Sequence, residues 1–358
     1  MKPVGAPWEE LAAFCLRLPK VELHVHLEGT MRPATLLRLA RKHGVDLPAD
    51  DEIGLHRWFK FRDFPHFVEI YLLCSKCVRE PEDFQLLVRD FLSEQARQSV
   101  FYSEVHFTIG THLANGANGS EVADALAEAM DDGAREFGAR MKLVPDIIRN
   151  VGAEAADATL EWALENRSRG VVALGLTGFE SEPNEPFRGH FAAAAAEGLH
   201  CVAHAGEHGG PDSVRSVLEV CRAERIGHGV RAMEDSSLVA ELAELRVPLE
   251  VCPTSNVCLG VSPDLTSHPF ERMREGGLVV SVNSDDPPFF NTTLTDEYVR
   301  LAQTFGYRRE VLVELAMDAI DQTFLEPSAK EELRARFEAR IAELEVPLPA
   351  DDAGPAHP

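Results

Sequence analysis

The segment VELHVHL, at residues 21–27, is a short apolar run that carries two histidines spaced two residues apart. Its valines and leucines predict a buried β-strand. Residues two apart in a strand point to the same side, so the imidazoles of His24 and His26 face one way together. The segment therefore predicts a strand that ends in a pair of candidate metal ligands.

Seven further runs of similar composition follow along the chain. They are FYSEVHF (101–107), MKLVPDII (141–148), VVALGLTG (171–178), LHCVAHAGE (199–207), RIGHGV (225–230), PLEVCPTSN (248–256) and LVVSVNSDD (278–286). Segments of helical character separate them, and this alternation predicts parallel strands joined by helical crossovers. Eight such units favour an α/β fold of the (β/α)8 TIM-barrel class. A doubly wound open sheet is the alternative, but it usually has a phosphate loop after the first strand, which this sequence lacks.

Four of the helical segments have recognisable ends. They lie at 34–44, 82–98, 120–138 and 235–246. The segment at 34–44 ends in glycine, and Pro81 precedes the one at 82–98. Ser120 is the expected N-cap of the third segment, and the fourth begins with Asp and Ser.

The stretch at 45–80, between the first helix and the second strand, is dense in aromatic residues. A long insertion after a barrel strand sits over the top face, so we expect a helical lid over the site. Packing against the barrel flank is the alternative. The domain prediction is a single barrel over 1–345, followed by a disordered tail at 346–358 that is rich in Pro, Ala and Asp.

Charge and cysteine content limit the partners and the compartment. The 358 residues include 35 Lys and Arg against 59 Asp and Glu, a formal charge of −24. This excess repels nucleic acid and anionic membranes, so we expect a small-molecule substrate, while a homo-oligomer stays open. The seven cysteines are odd in number and scattered, which does not fit a disulfide framework. With no signal-peptide pattern and no apolar run long enough to span a bilayer, the expected location is the cytoplasm.

Polar residues recur where the later strands end. His204 ends the fifth run, His228 lies in the sixth, and Asp285 and Asp286 end the eighth. The carboxyl ends of barrel strands converge on one face, where barrel enzymes build their active sites. Burying several His and Asp side chains there is costly unless a metal compensates them. The alternative is a set of polar core residues that satisfy one another.

Four motifs together resemble the adenosine/adenine deaminase family of the metal-dependent amidohydrolase superfamily. They are PKVELHVHLEGT, HAGE, IGHGV and SVNSDDP, and the resemblance runs from about residue 19 to residue 286. It implies a (β/α)8 barrel with one zinc ion per chain, and removal of the 6-amino group from an adenine-type purine by hydrolysis. It also implies the zinc ligands, which are His24, His26, His204 and Asp285.

The same resemblance implies roles for the other residues of these motifs. Glu207 would protonate the purine ring at N1, and His228 would orient the attacking hydroxide and steady the developing charge. Asp285 is placed to shuttle protons. Asp286 would hold N7, and the backbone at Gly178 would meet N3. The segment at 253–256 resembles the family's Pro-x-Ser-Asn turn, which braces the site.

Two departures from the family pattern concern the substrate. Adenosine-specific members carry Asp two residues after the second histidine, where it grips the ribose 5′-hydroxyl, but this chain has Glu28. Adenosine enzymes usually read Gly-Asp-Glu where this chain has Gly178, Phe179 and Glu180. Phe179 would stack on, or close over, an apolar substituent, or else belong to the core. The expected substrate is adenosine or a 5′-modified adenosine such as aminodeoxyfutalosine, with free adenine as the alternative.

Two other functions stay open. One is a barrel hydrolase acting on esters, amides or phosphotriesters. Many of these bridge two metals with a carboxylated lysine on the fourth strand, and VVALGLTG contains no lysine. The other is a non-catalytic purine-binding protein. Such a protein usually lacks one of the metal ligands or the general acid, whereas this chain has all four implied ligands and Glu207.

Overall fold

The computed structural model describes residues 7–344, so the tail predicted at 346–358 lies outside the described residues. Eight β-strands form one parallel sheet in chain order. They are β1 (Lys20–His26), β2 (Val100–Phe107), β3 (Arg140–Ile148), β4 (Ala173–Thr177), β5 (His200–Ala205), β6 (Arg225–His228), β7 (Leu249–Val251) and β8 (Val280–Val282).

The sheet curls round so that the segment after β8 meets β1. The backbone N–H of His26 donates to the carbonyl of Asp285 at 3.0 Å, and that of Asp285 donates to the carbonyl of His24 at 3.1 Å. These bonds close the sheet into a barrel, which confirms the predicted (β/α)8 fold. They also fix the two residues of the His-x-His pair beside the residue that follows the last strand.

Helices fill the connections between the strands, as the alternating pattern predicts. They are α1 (Pro7–Arg17), α2 (Pro33–His43), α3 (Glu52–Trp58), α4 (Phe64–Ser75), α5 (Pro81–Arg97), α6 (Ile109–Ala114), α7 (Gly119–Phe137), α8 (Ala153–Glu165), α9 (Arg188–Ala196), α10 (Pro211–Val220), α11 (Ser236–Leu245), α12 (Pro253–Cys258), α13 (Phe270–Glu275), α14 (Pro287–Phe290), α15 (Leu294–Phe305), α16 (Arg309–Asp321) and α17 (Pro327–Ala342). No helix of residues 7–344 is long and apolar enough to cross a membrane.

Two details differ from the sequence expectations. The run at 248–256 is not a continuous strand, because Pro253 begins α12 and proline cannot donate to a strand ladder. Ser120 is not the N-cap of α7, because Asn118 occupies that position. The Asn118 side chain accepts from the backbone N–H of Ser120 at 3.0 Å and of Glu121 at 3.3 Å. Asparagine is the stronger cap here because it stands one residue before the helix begins.

The stretch at 45–80 is largely helical. It contains α3 and α4, and Asp63 caps α4 by accepting from the backbone N–H of His66 at 2.9 Å. One face of α4 lines a cavity at the carboxyl ends of the strands, through Phe64, Phe67, Val68, Tyr71 and Leu72. This spacing of three and four residues is that of a single helical face. The insertion therefore lies over the cavity and not only against the barrel flank.

A buried ion pair network crosses the barrel interior. Arg225 on β6 contacts Glu250 on β7 and Glu104 on β2, each at 2.5 Å, and all three are at most 1% exposed. β2 and β6 lie on opposite sides of the barrel, so Arg225 spans it. Removing the arginine would leave two buried carboxylates without their cation. All seven cysteines are free thiols in the structure.

Candidate active site

Four of the predicted ligands meet at the carboxyl ends of the strands. His24 and His26 come from β1, His204 from β5, and Asp285 follows β8. The Nε2 atoms of His26 and His204 lie 3.2 Å apart. Asp285 Oδ1 lies 3.3 Å from His26 Nε2 and 3.6 Å from His24 Nε2. His24 and Asp285 are 261 positions apart in the chain, and the fold brings them into one buried cluster.

Contacts behind the cluster fix which ring atoms face its centre. His24 Nδ1 lies 2.8 Å from Glu250 Oε2, and His204 Nδ1 donates to the carbonyl of Leu176 at 2.9 Å. Each contact occupies the Nδ1 atom and leaves Nε2 available to the centre of the cluster. His24 Nε2 is buried with no hydrogen-bond partner among the described residues. Such partners to the outer nitrogen are typical of metal-binding histidines. The donor set of three imidazoles and one carboxylate fits a zinc ion.

The charges of the cluster also fit a cation. Burial alone would lower the pKa of His24, but the carboxylates of Asp285 and Glu250 raise it to about 10. Burial would also lower the pKa of His26, but the carboxylates of Asp286 and Asp285 raise it to about 9. The carboxylates therefore create a strongly negative potential at the point where the ring nitrogens meet.

Two residues of the site adopt strained backbone conformations. His228 has φ 64° and Asp285 has φ 65°, in the left-handed region that non-glycine residues rarely occupy. Contacts from α12 hold both side chains, as expected of the turn at 253–256. Ser255 Oγ donates to Asp285 Oδ2 at 2.6 Å, and Asn256 Nδ2 lies 3.2 Å from His228 Nδ1. Strain of this kind concentrates at functional sites, where the surrounding structure stabilises it.

Glu207 stands beside the cluster at the end of β5. Its Oε1 atom is buried without a hydrogen-bond partner among the described residues, 3.7 Å from His228 Nε2. Its Oε2 atom lies 3.2 Å from His208 Nδ1. One oxygen is thus anchored, while the other is directed toward the space that Glu207 shares with His228. A carboxyl group in this position can exchange a proton with a bound molecule.

Glu180 holds the loop that carries Glu207, and the sequence analysis assigned it no such role. The Glu180 carboxylate accepts hydrogen bonds from the backbone N–H groups of Gly206, Glu207 and His208 at 2.7, 2.9 and 2.8 Å. Ser213 Oγ adds a fourth at 2.5 Å. Two sequence signals could have pointed to it. Glu180 lies just past the end of β4, where polar residues reach the site, and it matches the Glu of the family's Gly-Asp-Glu motif.

Asp286 and Gly178 reach the same cavity from two other strands. Asp286 is buried, and burial together with the charge of Asp285 raises the pKa of its carboxyl well above the usual range. Gly29 packs directly against it, because a Cβ atom there would lie only 1.7 Å from Asp286 Oδ1. Gly178 has φ 92°, which side-chain-bearing residues rarely adopt, so its backbone approaches the cavity without a side chain.

The cavity over the cluster encloses about 200 Å³ and is mostly apolar. Phe179 lies in its wall, and its ring centre is 5.4 Å from that of Phe64 on α4. Together these rings join the insertion to the loop after β4. Apolar walls with a few convergent polar groups are typical of small-molecule sites.

Glu28 does not face this cavity. It is fully buried, and its Oε1 atom accepts from the backbone N–H and the hydroxyl of Thr108 at 2.9 and 2.5 Å, with His112 Nε2 at 3.2 Å. Its Oε2 atom accepts from the Tyr71 hydroxyl at 2.9 Å. Burial opposes ionisation, but His112 and Thr108 hold the pKa of Glu28 down at about 2. The residues that line the cavity here are Tyr71 and Thr108, which the sequence analysis missed.

A parallel barrel with a candidate metal centre at the carboxyl ends of its strands defines the class of metal-dependent barrel hydrolases. Residues 19–340 match the model of the family described as adenosine deaminase. The chain belongs to the adenosine deaminase family, and it is a hydrolytic deaminase.

Known proteins of two specificities resemble the chain over nearly its whole length. An aminodeoxyfutalosine deaminase of Streptomyces avermitilis is 38% identical over 337 residues, covering 93% of this chain and 94% of the relative. An adenine deaminase of Streptomyces coelicolor is 38% identical over 331 residues, covering 92% and 96%. The crystal structure of an amidohydrolase from Burkholderia ambifaria with bound zinc superposes with a TM-score of 0.86 at 26% identity, covering 96% of this chain and 97% of that one.

Proposed function

We propose that this deaminase removes the 6-amino group of an adenine nucleoside, either adenosine or a 5′-modified adenosine such as aminodeoxyfutalosine. The products are the 6-oxopurine and ammonia. The observation that carries the proposal is the meeting of the four candidate ligands with Glu207 and His228 under one apolar cavity of about 200 Å³. A flat heterocycle fits such a cavity, and its polar edges would meet the acidic residues.

We propose one zinc ion per chain, held by His24, His26, His204 and Asp285. The amidohydrolase with bound zinc supports this choice of metal. A bound zinc ion lowers the pKa of a water molecule to about 7 and so supplies a nucleophile at neutral pH. The absence of a lysine from β4 counts against a second, bridged metal.

The remaining residues handle protons and hold the ring. Glu207 donates a proton to purine N1 as the water oxygen bonds to C6, because electrons move from C6 onto N1 in that step. His228 orients the attacking water, and Asp285 accepts one of its protons and passes it to the departing amino group. The second proton of the water returns to Glu207 as the bond from C6 to the amino nitrogen breaks and the 6-oxo group forms. Asp286 holds N7, and the Gly178 backbone meets N3; both residues line the cavity.

Free adenine is the second candidate substrate. The adenine deaminase of Streptomyces coelicolor is as similar to this chain as the aminodeoxyfutalosine deaminase is, so similarity alone does not decide between them. Phe179 and the aromatic face of α4 favour a substrate with a substituent to cover. The seven free thiols fit a protein that works in the reducing cytoplasm.

The decisive experiment measures ammonia release and ultraviolet absorbance on adenine, adenosine, 5′-methylthioadenosine, AMP, N6-methyl-AMP and aminodeoxyfutalosine. The Glu207→Gln variant should lose at least about 10²-fold in kcat while it retains its zinc, because only proton donation is removed. The His204→Ala variant should lose both zinc and turnover. Undiminished ammonia release from metal-stripped protein would overturn the proposal.

A further inference from the structure

The buried Glu28 carboxylate organises the hydroxyl groups on one side of the cavity. Four donor groups converge on it, namely the backbone and hydroxyl of Thr108, the His112 ring and the Tyr71 hydroxyl. Glu28 and His112 are both fully buried. A bound molecule therefore does not reach the carboxylate, and meets instead the groups that the carboxylate holds.

These contacts fix the hydrogen-bonding character of the two hydroxyls that line the cavity. A hydroxyl carries one proton to donate and lone pairs to accept. The Tyr71 and Thr108 hydroxyls both donate their proton to the Glu28 carboxylate, and both residues line the cavity. Only their lone pairs remain for a ligand. These two hydroxyls thus offer acceptors alone, and a ligand must bring an O–H or N–H group to them.

The charges around the cavity point the same way. No Lys or Arg is among the cavity-lining residues of the described chain, whereas Glu207, Asp285 and Asp286 are. Phosphate recognition in proteins relies on Arg, Lys or clustered backbone N–H donors. A phosphate group placed here would face lone pairs and carboxylates. It would lose the hydrogen bonds of its hydration water and gain no donors from the protein to replace them.

The position of these hydroxyls relative to the ring follows from the proposed function, on which this inference rests. With Asp286 at N7 and Gly178 at N3, the N9 atom and its substituent lie between the two. Gly29, which adjoins Glu28, packs against Asp286, and the Tyr71 ring centre is 6.3 Å from that of His26. A nucleoside bound in this orientation would direct its N9 substituent toward Tyr71 and Thr108.

We propose that Tyr71 and Thr108 are specificity residues that accept a hydrogen bond from a sugar hydroxyl of the substrate, and that Glu28 is the positioning residue that orients them. The substrate class is accordingly an uncharged adenine nucleoside with a hydroxyl donor at this point. Nucleoside phosphates are excluded.

The test crosses substrate changes with enzyme changes. The kcat/KM of the wild-type, Tyr71→Phe and Thr108→Val enzymes is measured on adenosine, its 2′-, 3′- and 5′-deoxy analogues, AMP and adenine. In the wild type, one deoxy analogue should fall about 10-fold below adenosine, the factor that one neutral hydrogen bond contributes. At least one of the two variants should show a kcat/KM on adenosine about 10-fold below that of the wild type. On the deoxy analogue that lacks the hydrogen-bonding hydroxyl, the same variant should match the wild type. AMP should be at least about 10²-fold worse than adenosine.

Thr111→Val is the matched control, because Thr111 also lines the cavity but makes no hydrogen bond to Glu28. The Thr111→Val variant should change kcat/KM by the same factor on adenosine and on each deoxy analogue. Equal losses on adenosine and on every deoxy analogue in both variants would overturn the inference, as would efficient turnover of AMP. A strong preference for adenine that neither variant alters would overturn it as well, and would leave deamination intact. Failure on every adenine compound would instead count against the proposed function itself.

Discussion

At the scale of single residues, three carboxylates that do not line the cavity hold groups of the candidate site in place. Glu180 holds three consecutive backbone N–H groups in the loop that carries Glu207, and Glu250 fixes the His24 ring through Nδ1. Glu28 does the same for two hydroxyls. Each of these carboxylates fixes the position of a loop, a ring or a hydroxyl through hydrogen bonds. Groups that are fixed in advance lose less entropy when the reactive geometry forms, which lowers the activation free energy.

Replacing Glu180 by alanine should lower kcat by about 10²-fold, because the loop would no longer hold Glu207 within about 1 Å of its place. KM should change less than kcat, since Glu207 acts as the reaction proceeds and not in binding alone. Steady-state kinetics and a zinc determination check this, and the zinc content should stay at the wild-type value. The control is Ser213→Ala, which removes one of the four contacts and should cost only a few-fold. Wild-type kcat in the Glu180 variant would contradict the role of this carboxylate.

At the scale of elements, helix ends and helix faces decide where the site groups lie. α4 begins at Phe64 because Asp63 caps it, and the resulting register puts Phe64, Phe67 and Tyr71 on the cavity side. α12 begins at Pro253, which ends the seventh strand early and brings Ser255 and Asn256 to the site. Local chemistry at an element's end thus sets the direction of side chains several residues further on.

The N-cap of α7 gives a test at this scale. Asn118→Ala should lower the free energy of unfolding by about 1 kcal/mol, because two backbone N–H groups lose their acceptor. Ser120→Ala, the cap expected from sequence, should change it by less than about 0.5 kcal/mol. Urea unfolding followed by circular dichroism measures both. The reverse order of the two effects would show that the serine and not the asparagine caps the helix.

At the scale of the whole molecule, buried ionisable groups link the barrel to the helices that follow it. Glu297 on α15 is fully buried and accepts hydrogen bonds from the backbone N–H of Thr254 and the hydroxyl of Thr292. Arg300 lies 4.0 Å away. Burial outweighs these contacts and raises the pKa of Glu297 from 4.5 to about 7.

This shift makes stability depend on pH. Between pH 4.5 and about 7 the folded protein keeps a proton on Glu297 that the unfolded chain has released, so the contribution of Glu297 to stability falls as pH rises through that window. The loss is up to about 3 kcal/mol at about 1.4 kcal/mol per pKa unit. Glu297→Gln removes this titration, so the variant should gain stability relative to the wild type between pH 5 and pH 7.5. Urea unfolding at several pH values measures the difference, and a difference that stays constant with pH would show that Glu297 is ionised throughout.

The barrel, its eight strands and the convergence of polar residues at the strand ends were predictable from the sequence, because these features follow from local rules. The choice of the four candidate ligands came from the family resemblance. A strand alternates with period two, which places His24 and His26 on one side, and parallel strands send their carboxyl ends to one face, which gathers His204, Glu207 and Asp285. The family motifs lie at those same strand ends, and the family model confirms the resemblance.

Only the tertiary structure decided which groups surround those residues and which atoms a substrate meets. Glu28 bonds to Thr108 and His112, 80 and 84 positions away, and His24 bonds to Glu250, 226 positions away. No spacing rule connects such pairs, because strands far apart in the chain bring them together when the barrel closes. The sequence therefore identified Glu28 as a departure from the family pattern, but only the fold showed that its carboxylate is enclosed and that Tyr71 and Thr108, whose hydroxyls bond to it, line the cavity.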